Sequence, residues 1–399
     1  MHVAIIGASG HIGQNLVRQL AGHGYELLLY GRDINKLGKL FAEHNVADYT
    51  QFERLAEVDV IVNAAAAVPQ AGLTANDYQD ANVLFLERLI AASKSAGVKR
   101  LIHFSTTHAL KHDQTDYGES KAKAEEILSH VDCIDIIILR LPAVYGEAFR
   151  GRLSILNKVP EIVRPFAFKL LAALRPTVHM NHVVQATIRS LKESRFSEQI
   201  VSDNQYGNWA YSSFKKLIDY GFALSVIFLF WWLMLIIYIT IRLDSDGKSI
   251  FAQTRIGKNQ KPFTCYKFRT MKVGTISAGT HEVQAASVTK VGALLRKTKL
   301  DELLQVFNIL RGEVGLVGPR PCLPIQKELI SARDTLGVFD ILPGITGYAQ
   351  VNGIDMSDPE RLAKMDSQYM ALRSIPFDLK IIASTFLGRG GGDRVYKGD

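Results

Sequence analysis

Two side-chain pairs in this chain have the types and spacing for chemistry. Asp301 and Glu302 stand side by side in KTKLDELLQVFNILRGEVGLVGPRP (297–321), directly after a run of lysines and an arginine. Read alone, the pair suits the start of a helix over ELLQVFNIL, whose dipole favours negative charge. Tyr117 and Lys121 are one helical turn apart in YGESK, so both side chains share a face. An ammonium beside a phenol lowers the phenol pKa toward neutrality and makes it a usable acid or base. A hydroxyl cluster, Ser105, Thr106 and Thr107, precedes that pair and can hydrogen-bond a carbonyl or alkoxide.

These groups need elements to hold them. HVAIIG (2–7) reads as a short apolar strand, followed by GASGHIG and an amphipathic stretch. Gly7, Gly10 and Gly13 let the backbone turn tightly and approach a pyrophosphate seated on a helix N-terminus. Further apolar strands follow in YELLLYGRD, VDVIVNAAAA and LIHFSTTH, alternating with helical patterns. That alternation predicts an α/β fold, an N-terminal Rossmann-like doubly wound parallel sheet. Arg32, near the end of the second strand, stands where NAD sites carry an acidic residue. It points the cofactor expectation to NADP, with NAD the alternative.

With 399 residues, two domains are expected. The three cysteines, Cys133, Cys265 and Cys322, are scattered and predict neither a disulfide framework nor a metal cluster, which suits a reducing compartment. MHVAIIGASG lacks a basic region ahead of an apolar core and does not read as a signal peptide. The net charge of +8 is concentrated: Arg242 to Leu300 holds 12 Lys/Arg against 3 Asp/Glu. Because this stretch follows an apolar run, anionic lipid head groups or a phosphorylated substrate are expected partners. No recognition module accompanies the charge, so nucleic acid is not expected.

The apolar run is FALSVIFLFWWLMLIIYITI (222–241), twenty residues without a charge. At 1.5 Å per residue it can cross the roughly 30 Å hydrocarbon layer. Lys215 and Lys216 precede it, while Arg242, Lys248, Arg255 and Lys258 follow. Basic residues mark the cytoplasmic side, and here both ends carry them. The polar stretch SDNQYGNWAYSS (202–213) reads as a boundary. The expected organisation is 1–205, a linker at 206–213, a membrane-inserted helix at 214–242, and a smaller, mostly helical α/β domain at 243–399.

Residues 1–205 resemble the extended short-chain dehydrogenase/reductase family of sugar-nucleotide epimerases, dehydratases and ketoreductases. The likeness runs through GASGHIG, VNAAAA, Asn82 in DANVLFLERLIAAS, FSTT, YGESK and LRLPAVYG (139–146). It implies Tyr117 as catalytic acid/base, Lys121 as its partner and Thr107 as the aligned hydroxyl. Gly7, Ser9, Gly10, His11, Ile12, Gly13, Arg32, Ala64 and Asn82 would contact the cofactor. Only ten residues separate Thr107 from Tyr117, fewer than is usual in that family, and the part after residue 146 is short for a sugar-nucleotide lid.

From about 211 to 390 the chain resembles the bacterial sugar transferases, the monotopic phosphoglycosyl transferases. The likeness rests on FKKLIDYG, FAQTRIGKNQKPFTCYKFRTM (251–271), LLRKTKLDELLQVFNILRGEVGLVGPRP (294–321) and LPGITGYAQVNG (342–353). It implies that Asp301 attacks the β-phosphate of a UDP-sugar, with Glu302 beside it. UMP then leaves, and undecaprenyl phosphate takes the phosphosugar. Mg²⁺ held at Asp301 is implied, with Lys267, Arg269, Arg296 and Arg320 as candidates for the diphosphate and carrier phosphate. The implied location is the cytoplasmic face of a bacterial inner membrane. The family breaks its membrane helix with Ser-Pro; here Trp231-Trp232 occupies that position, and Leu304 replaces a family proline. The flanking charges still favour re-entrant insertion. The polar stretch 274–287 is expected as a loop over the donor site. A homodimer is left open.

Overall fold

The computed structural model describes residues 1–69, 72–111, 115–147, 149, 151–192, 197–274 and 288–388. Apart from Gly274, the expected donor-site loop 274–287 lies outside the described residues. The chain divides into two compact units. One comprises Met1–Arg164 and Pro176–Asp203; the other comprises Pro165–Arg175 and the chain from Asn204 onward.

In the first unit, elements follow as β1 (His2–Ile6), α1 (His11–Gly22), β2 (Glu26–Tyr30), α2 (Ile34–Leu40), β3 (Asn45–Ala47), β4 (Val60–Asn63), α3 (Ala75–Gln79), α4 (Phe85–Ser95), β5 (Arg100–Thr106), α5 (Asp116–Ser129), β6 (Asp135–Leu141) and β7 (Ala143–Tyr145). After α6 (Arg164–Leu174), most of which belongs to the second unit, come β8 (Thr177–His179), α7 (Met180–Ser190) and β9 (Ser197–Ile200). Seven parallel strands pair in the order β3-β2-β1-β4-β5-β6-β9, with Ile5 opposite Leu29 on one side and Val62 on the other. Alternation along β1 splits the core. Val3 and Ile5 pack with residues of α1 and α7, while Ala4 and Ile6 pack with those of α4. Strand order reverses between β1 and β4, the crevice where doubly wound sheets take ligands. β7 and β8 form a separate two-stranded ribbon.

The second unit opens on α8 (Trp209–Asp244), 36 residues or about 54 Å long. Then come the antiparallel hairpin β10 (Ile250–Ile256) and β11 (Pro262–Phe268), α9 (Lys290–Thr298), a 3₁₀ turn (Leu300–Gln305), α10 (Val306–Leu310), β12 (Gly315–Val317), α11 (Lys327–Thr335), β13 (Gly344–Thr346), α12 (Tyr348–Val351), α13 (Pro359–Leu372) and α14 (Ile375–Phe386). β12 and β13 pair in parallel.

α8 absorbs most of the stretch expected as a linker, because the Asn208 side chain accepts from the N–H groups of Ala210 and Tyr211 and starts the helix there. It runs unbroken through Trp231-Trp232, so the expected re-entrant bend is not seen. No proline or glycine stands inside the apolar run to make one. One side packs on the unit at both ends of that run. Ala223 and Val226 meet Val306, Ile309 and Val314, whereas Ile237 and Ile241 meet Phe268, Leu295 and Leu304. The other side leaves Phe228, Leu229, Trp231 and Leu235 exposed.

Candidate functional sites

In the first unit the glycine turn has the shape its sequence demands. Gly7 is left-handed at φ 80°, and a Cβ there would come within 2.8 Å of the Ala65 nitrogen. A Cβ on Gly13 would fall 2.3 Å from the Gly7 carbonyl oxygen and 2.8 Å from Ala8 Cα, so α1 lies as close to the turn as backbone allows. Over Gly10 only the Gly7 oxygen is near, at 3.2 Å. Gly10 caps α1 without a side chain, and the first turn carries no acidic residue. The N–H groups of that first turn lie at the positive end of the helix dipole, with no carboxylate of that turn beside them, which fits a pyrophosphate. Ser9 accepts at its carbonyl from Gln14 Nε2, His11 opens the helix, and Ile12 packs on the core. Gly13→Ala is expected to cost about 1–3 kcal/mol and to abolish nicotinamide-cofactor binding, read by thermal unfolding and cofactor titration.

Around that turn, the Ala64 N–H donates to Ile6 O, and Arg32 is exposed just beyond β2. The Arg32 charge and the Gly7 N–H both act on the Tyr49 phenol, although burial still pushes that phenol up. Asn82 is buried in a π-helical turn, Asp80–Leu84, of the kind that gathers at functional sites. Its amide donates to Ser120 Oγ at 3.0 Å and its oxygen accepts from Ala67 N, while Ser120 Oγ donates to Tyr117 O. Asn82 thus ties the loop after β4 to the first turn of α5.

The catalytic candidates are only partly brought together. Burial holds the Tyr117 phenol above its ordinary value, opposed by a hydrogen bond with Thr106 and reinforced by Tyr78, whose ring lies 5.8 Å away. The hydroxyl on Tyr117 is therefore that of Thr106; Thr107, almost as buried, donates its N–H to Leu141 O. Lys121 is fully buried, and its ammonium donates to Phe104 O at 3.0 Å. The expected lysine-driven fall in the phenol pKa is not what this geometry produces. Burial instead lowers Lys121 itself to about 8, with Glu125 opposing.

Because the folded pKa of Lys121 lies below the unfolded value of 10.5, holding the ammonium costs stability below about pH 8, and the cost disappears as pH rises toward 10.5. Lys121→Met is expected to stabilise the chain by about 2 kcal/mol at pH 7 after loss of one hydrogen bond, with the gain fading by pH 10. Denaturant titrations at the two pH values check this.

Sequence reading missed a buried pair nearby. Asn63 Nδ2 lies 3.1 Å from His103 Nδ1, and burial holds that imidazole well below its ordinary pKa. His103 is therefore neutral at pH 7.

In the second unit, Lys299 is left-handed at φ 58° and separates α9 from the 3₁₀ turn that presents Asp301 and Glu302. Glu302 Oε1 accepts from Lys267 Nζ at 2.6 Å and Arg320 Nη2 at 3.3 Å, in a half-buried setting. Arg296 Nε donates to Thr270 Oγ1, while its buried Nη1 meets no acceptor among the described residues. Arg269 is directed elsewhere. Its Nη1 and Nη2 donate to Asp246 O, Ser245 O and Ser245 Oγ, closing the loop after α8. Among the described residues, no group of three His, Cys, Asp or Glu side chains could hold a metal. The cysteines are free, with Cys265 and Cys322 buried.

A supporting layer was also missed. The carbonyls of residues 319 to 322 are each pinned: Pro319 O by Gly344 N, Arg320 O by Arg333 Nη1, Pro321 O by Arg255 Nη1 and Cys322 O by Ile256 N, all at 2.8–2.9 Å. Arg333 is fixed by Asp366 Oδ2 at 2.6 and 3.0 Å, both side chains 2% exposed. Fully buried Asn308 donates to Thr264 O and accepts from Tyr266 N, tying the Lys267 strand to α10.

Comparison with known proteins divides the chain at the same place, α6 excepted. Residues 3–202 match the NAD dependent epimerase/dehydratase family and residues 210–389 the bacterial sugar transferases. "Uncharacterized sugar transferase EpsL" of Bacillus subtilis (strain 168) is 37% identical over 175 residues, 43% of this chain and 84% of that protein. "UDP-N-acetylgalactosamine-undecaprenyl-phosphate N-acetylgalactosaminephosphotransferase" of Aeromonas hydrophila is 32% identical over 275 residues, 65% of this chain and 63% of that one. "UDP-glucose:undecaprenyl-phosphate glucose-1-phosphate transferase" of Escherichia coli (strain K12) is 35% identical over 184 residues, covering 43% of this chain and 39% of its own length. The chain thus spans most of the first relative but well under two thirds of the last. It belongs to the bacterial sugar transferase family through its C-terminal unit and to the NAD dependent epimerase/dehydratase family through its N-terminal one.

Proposed function

We propose that the C-terminal unit moves a phosphosugar from a UDP-sugar to undecaprenyl phosphate, initiating surface glycan synthesis. The carrying observation is the Asp301–Glu302 turn with Lys267 and Arg320 directed at Glu302. An Asp301 carboxylate oxygen attacks the β-phosphorus, the bond from that phosphorus to the bridging oxygen breaks, and UMP leaves with the electron pair. A phosphate oxygen of undecaprenyl phosphate then attacks the same phosphorus and frees the carboxylate. Lys267, Arg320 and Arg296, whose buried Nη1 has no acceptor among the described residues, offset the phosphate charge. Glu302 is held by Lys267 and Arg320, which leaves Asp301 as the hard oxygen donor. Mg²⁺ binds through one or two carboxylates plus substrate phosphates, so Asp301 would be its protein ligand. When bound, the ion would neutralise charge on the diphosphate.

α8 would attach the chain to the cytoplasmic face without spanning the bilayer. One folded unit packs on both ends of the apolar run, and a spanning helix would draw that unit through the hydrocarbon layer. The N-terminal unit would use NADP, or NAD, on the Gly7–Gly13 turn to reduce or epimerise the UDP-sugar, with Tyr117 as acid/base and Arg32 favouring the phosphorylated cofactor. A second reading makes this unit a cofactor-binding module without turnover; the raised Tyr117 phenol and the commitment of Lys121 to Phe104 O favour it.

The test is UMP release by membranes given undecaprenyl phosphate, Mg²⁺, NADPH and a panel of UDP-sugars, including a 4-keto donor. If no donor gives UMP, the transferase reading fails. Tyr117→Phe is expected to abolish sugar conversion while leaving transfer intact; unchanged conversion would reject the acid/base assignment.

A further inference from the structure

α6 sits in the first half of the sequence, yet from Pro165 it is part of the second unit. Gln205 Nε2 donates to Ala172 O at 2.6 Å, Asn208 Nδ2 to Lys169 O at 3.1 Å, and Lys169 Nζ to Gly207 O at 3.2 Å. Asn208 is also the N-cap of α8, so one side chain fixes both helices. Ala173 packs against Ala210, Tyr211 and Ile375, which settles the inner face of α6.

The outer face has no such cover. Phe166, Leu170 and Leu174, spaced i, i+4, i+8, are 53%, 37% and 52% exposed. Phe166 lies against Trp209 with ring centroids 4.8 Å apart, and Trp209 is exposed as well. Along α8 the exposed apolar residues continue through Leu217 and Leu224 to Phe228. Residues 164–176 carry Arg164, Lys169 and Arg175 and no carboxylate, although Arg164 pairs with exposed Glu161 just before the helix at 3.7 Å. An apolar stripe beside cations, with aromatic residues at its edge, is the composition of a helix lying in a bilayer interface.

We propose that α6 lies in the lipid head-group layer beside α8, a second and interfacial contact of this chain with the bilayer. The proposal rests on α8 being in contact with lipid, and the closing experiment carries its own control for that.

The full chain is prepared with Cys133→Ser, so that the two remaining native cysteines are the buried ones. An environment-sensitive fluorophore is then placed by Leu170→Cys, or by Leu224→Cys on α8, or by Lys39→Cys on α2. Each protein is reconstituted into phosphatidylethanolamine–phosphatidylglycerol vesicles with and without brominated acyl chains. The probe at 170 is expected to shift to the blue and lose most of its emission to brominated lipid, as at 224, while the probe at 39 does neither. Aqueous, unquenched emission at 170 beside a quenched 224 overturns the proposal. A blue-shifted but unquenched 170 also overturns it, since protein, from this chain or a second copy, would then cover the stripe. An unquenched 224 removes the lipid contact of α8 and the proposal with it.

Discussion

Asp301→Asn is expected to cut UMP release by at least about 10³-fold, the scale of losing a nucleophile rather than a binding contact. Asparagine keeps the size of the side chain and so the 3₁₀ turn, but its amide cannot form the acyl phosphate. Without lipid acceptor, the unsubstituted protein should release one equivalent of UMP and keep one phosphosugar, mapped by mass spectrometry to a peptide containing Asp301. The Asn variant should show neither. Glu302→Gln differs because Glu302 is the acceptor for Lys267 and Arg320. Its loss leaves two cations without their shared carboxylate beside an intact nucleophile, so the adduct should still form, more slowly. An adduct that persists in Asp301→Asn, or maps to Glu302, would reverse the assignment within the pair.

Beyond the strand–helix alternation that foretold the parallel sheet, what could be read from the sequence was local. The glycine turn, the Tyr117–Lys121 spacing and the adjacent carboxylates each lie within a few residues, and backbone geometry alone makes them legible. Which hydroxyl meets Tyr117 was not legible, because it depends on how the end of β5 is set against α5, and Thr106 and Thr107 differ there by one step. Nor was the fate of Arg269 visible, since its acceptors lie in the loop closing α8, more than twenty residues away. The membership of α6 in the second unit depends on contacts from Gln205 and Asn208 over thirty residues downstream. One signal was available and unused. Arg333 follows Leu329 by four positions, and Asp366 follows Leu362 by four, so each places a charge on the apolar stripe of its helix. Charges at such positions on two helices call for each other.

That pair carries the second large expectation. Removing one partner, by Asp366→Asn or Arg333→Met, leaves a desolvated charge or an unpaired carboxylate and should cost about 3–5 kcal/mol of stability. Replacing both by methionine removes both charges together and should recover most of that loss, because buried ion pairs are often no more stabilising than well-packed apolar residues. Activity should not follow stability. Arg333 Nη1 is the donor to Arg320 O, and in the double variant the main chain beneath Arg320 loses that support. The double variant should melt near the unsubstituted protein yet release UMP at a reduced kcat. Arg333→Lys with Asp366 kept should restore part of kcat by offering a donor to the same carbonyl. If instead the double variant regains full turnover along with its stability, the buried pair serves folding alone, and Arg320 is held by its neighbouring carbonyls at Pro319, Pro321 and Cys322 without it.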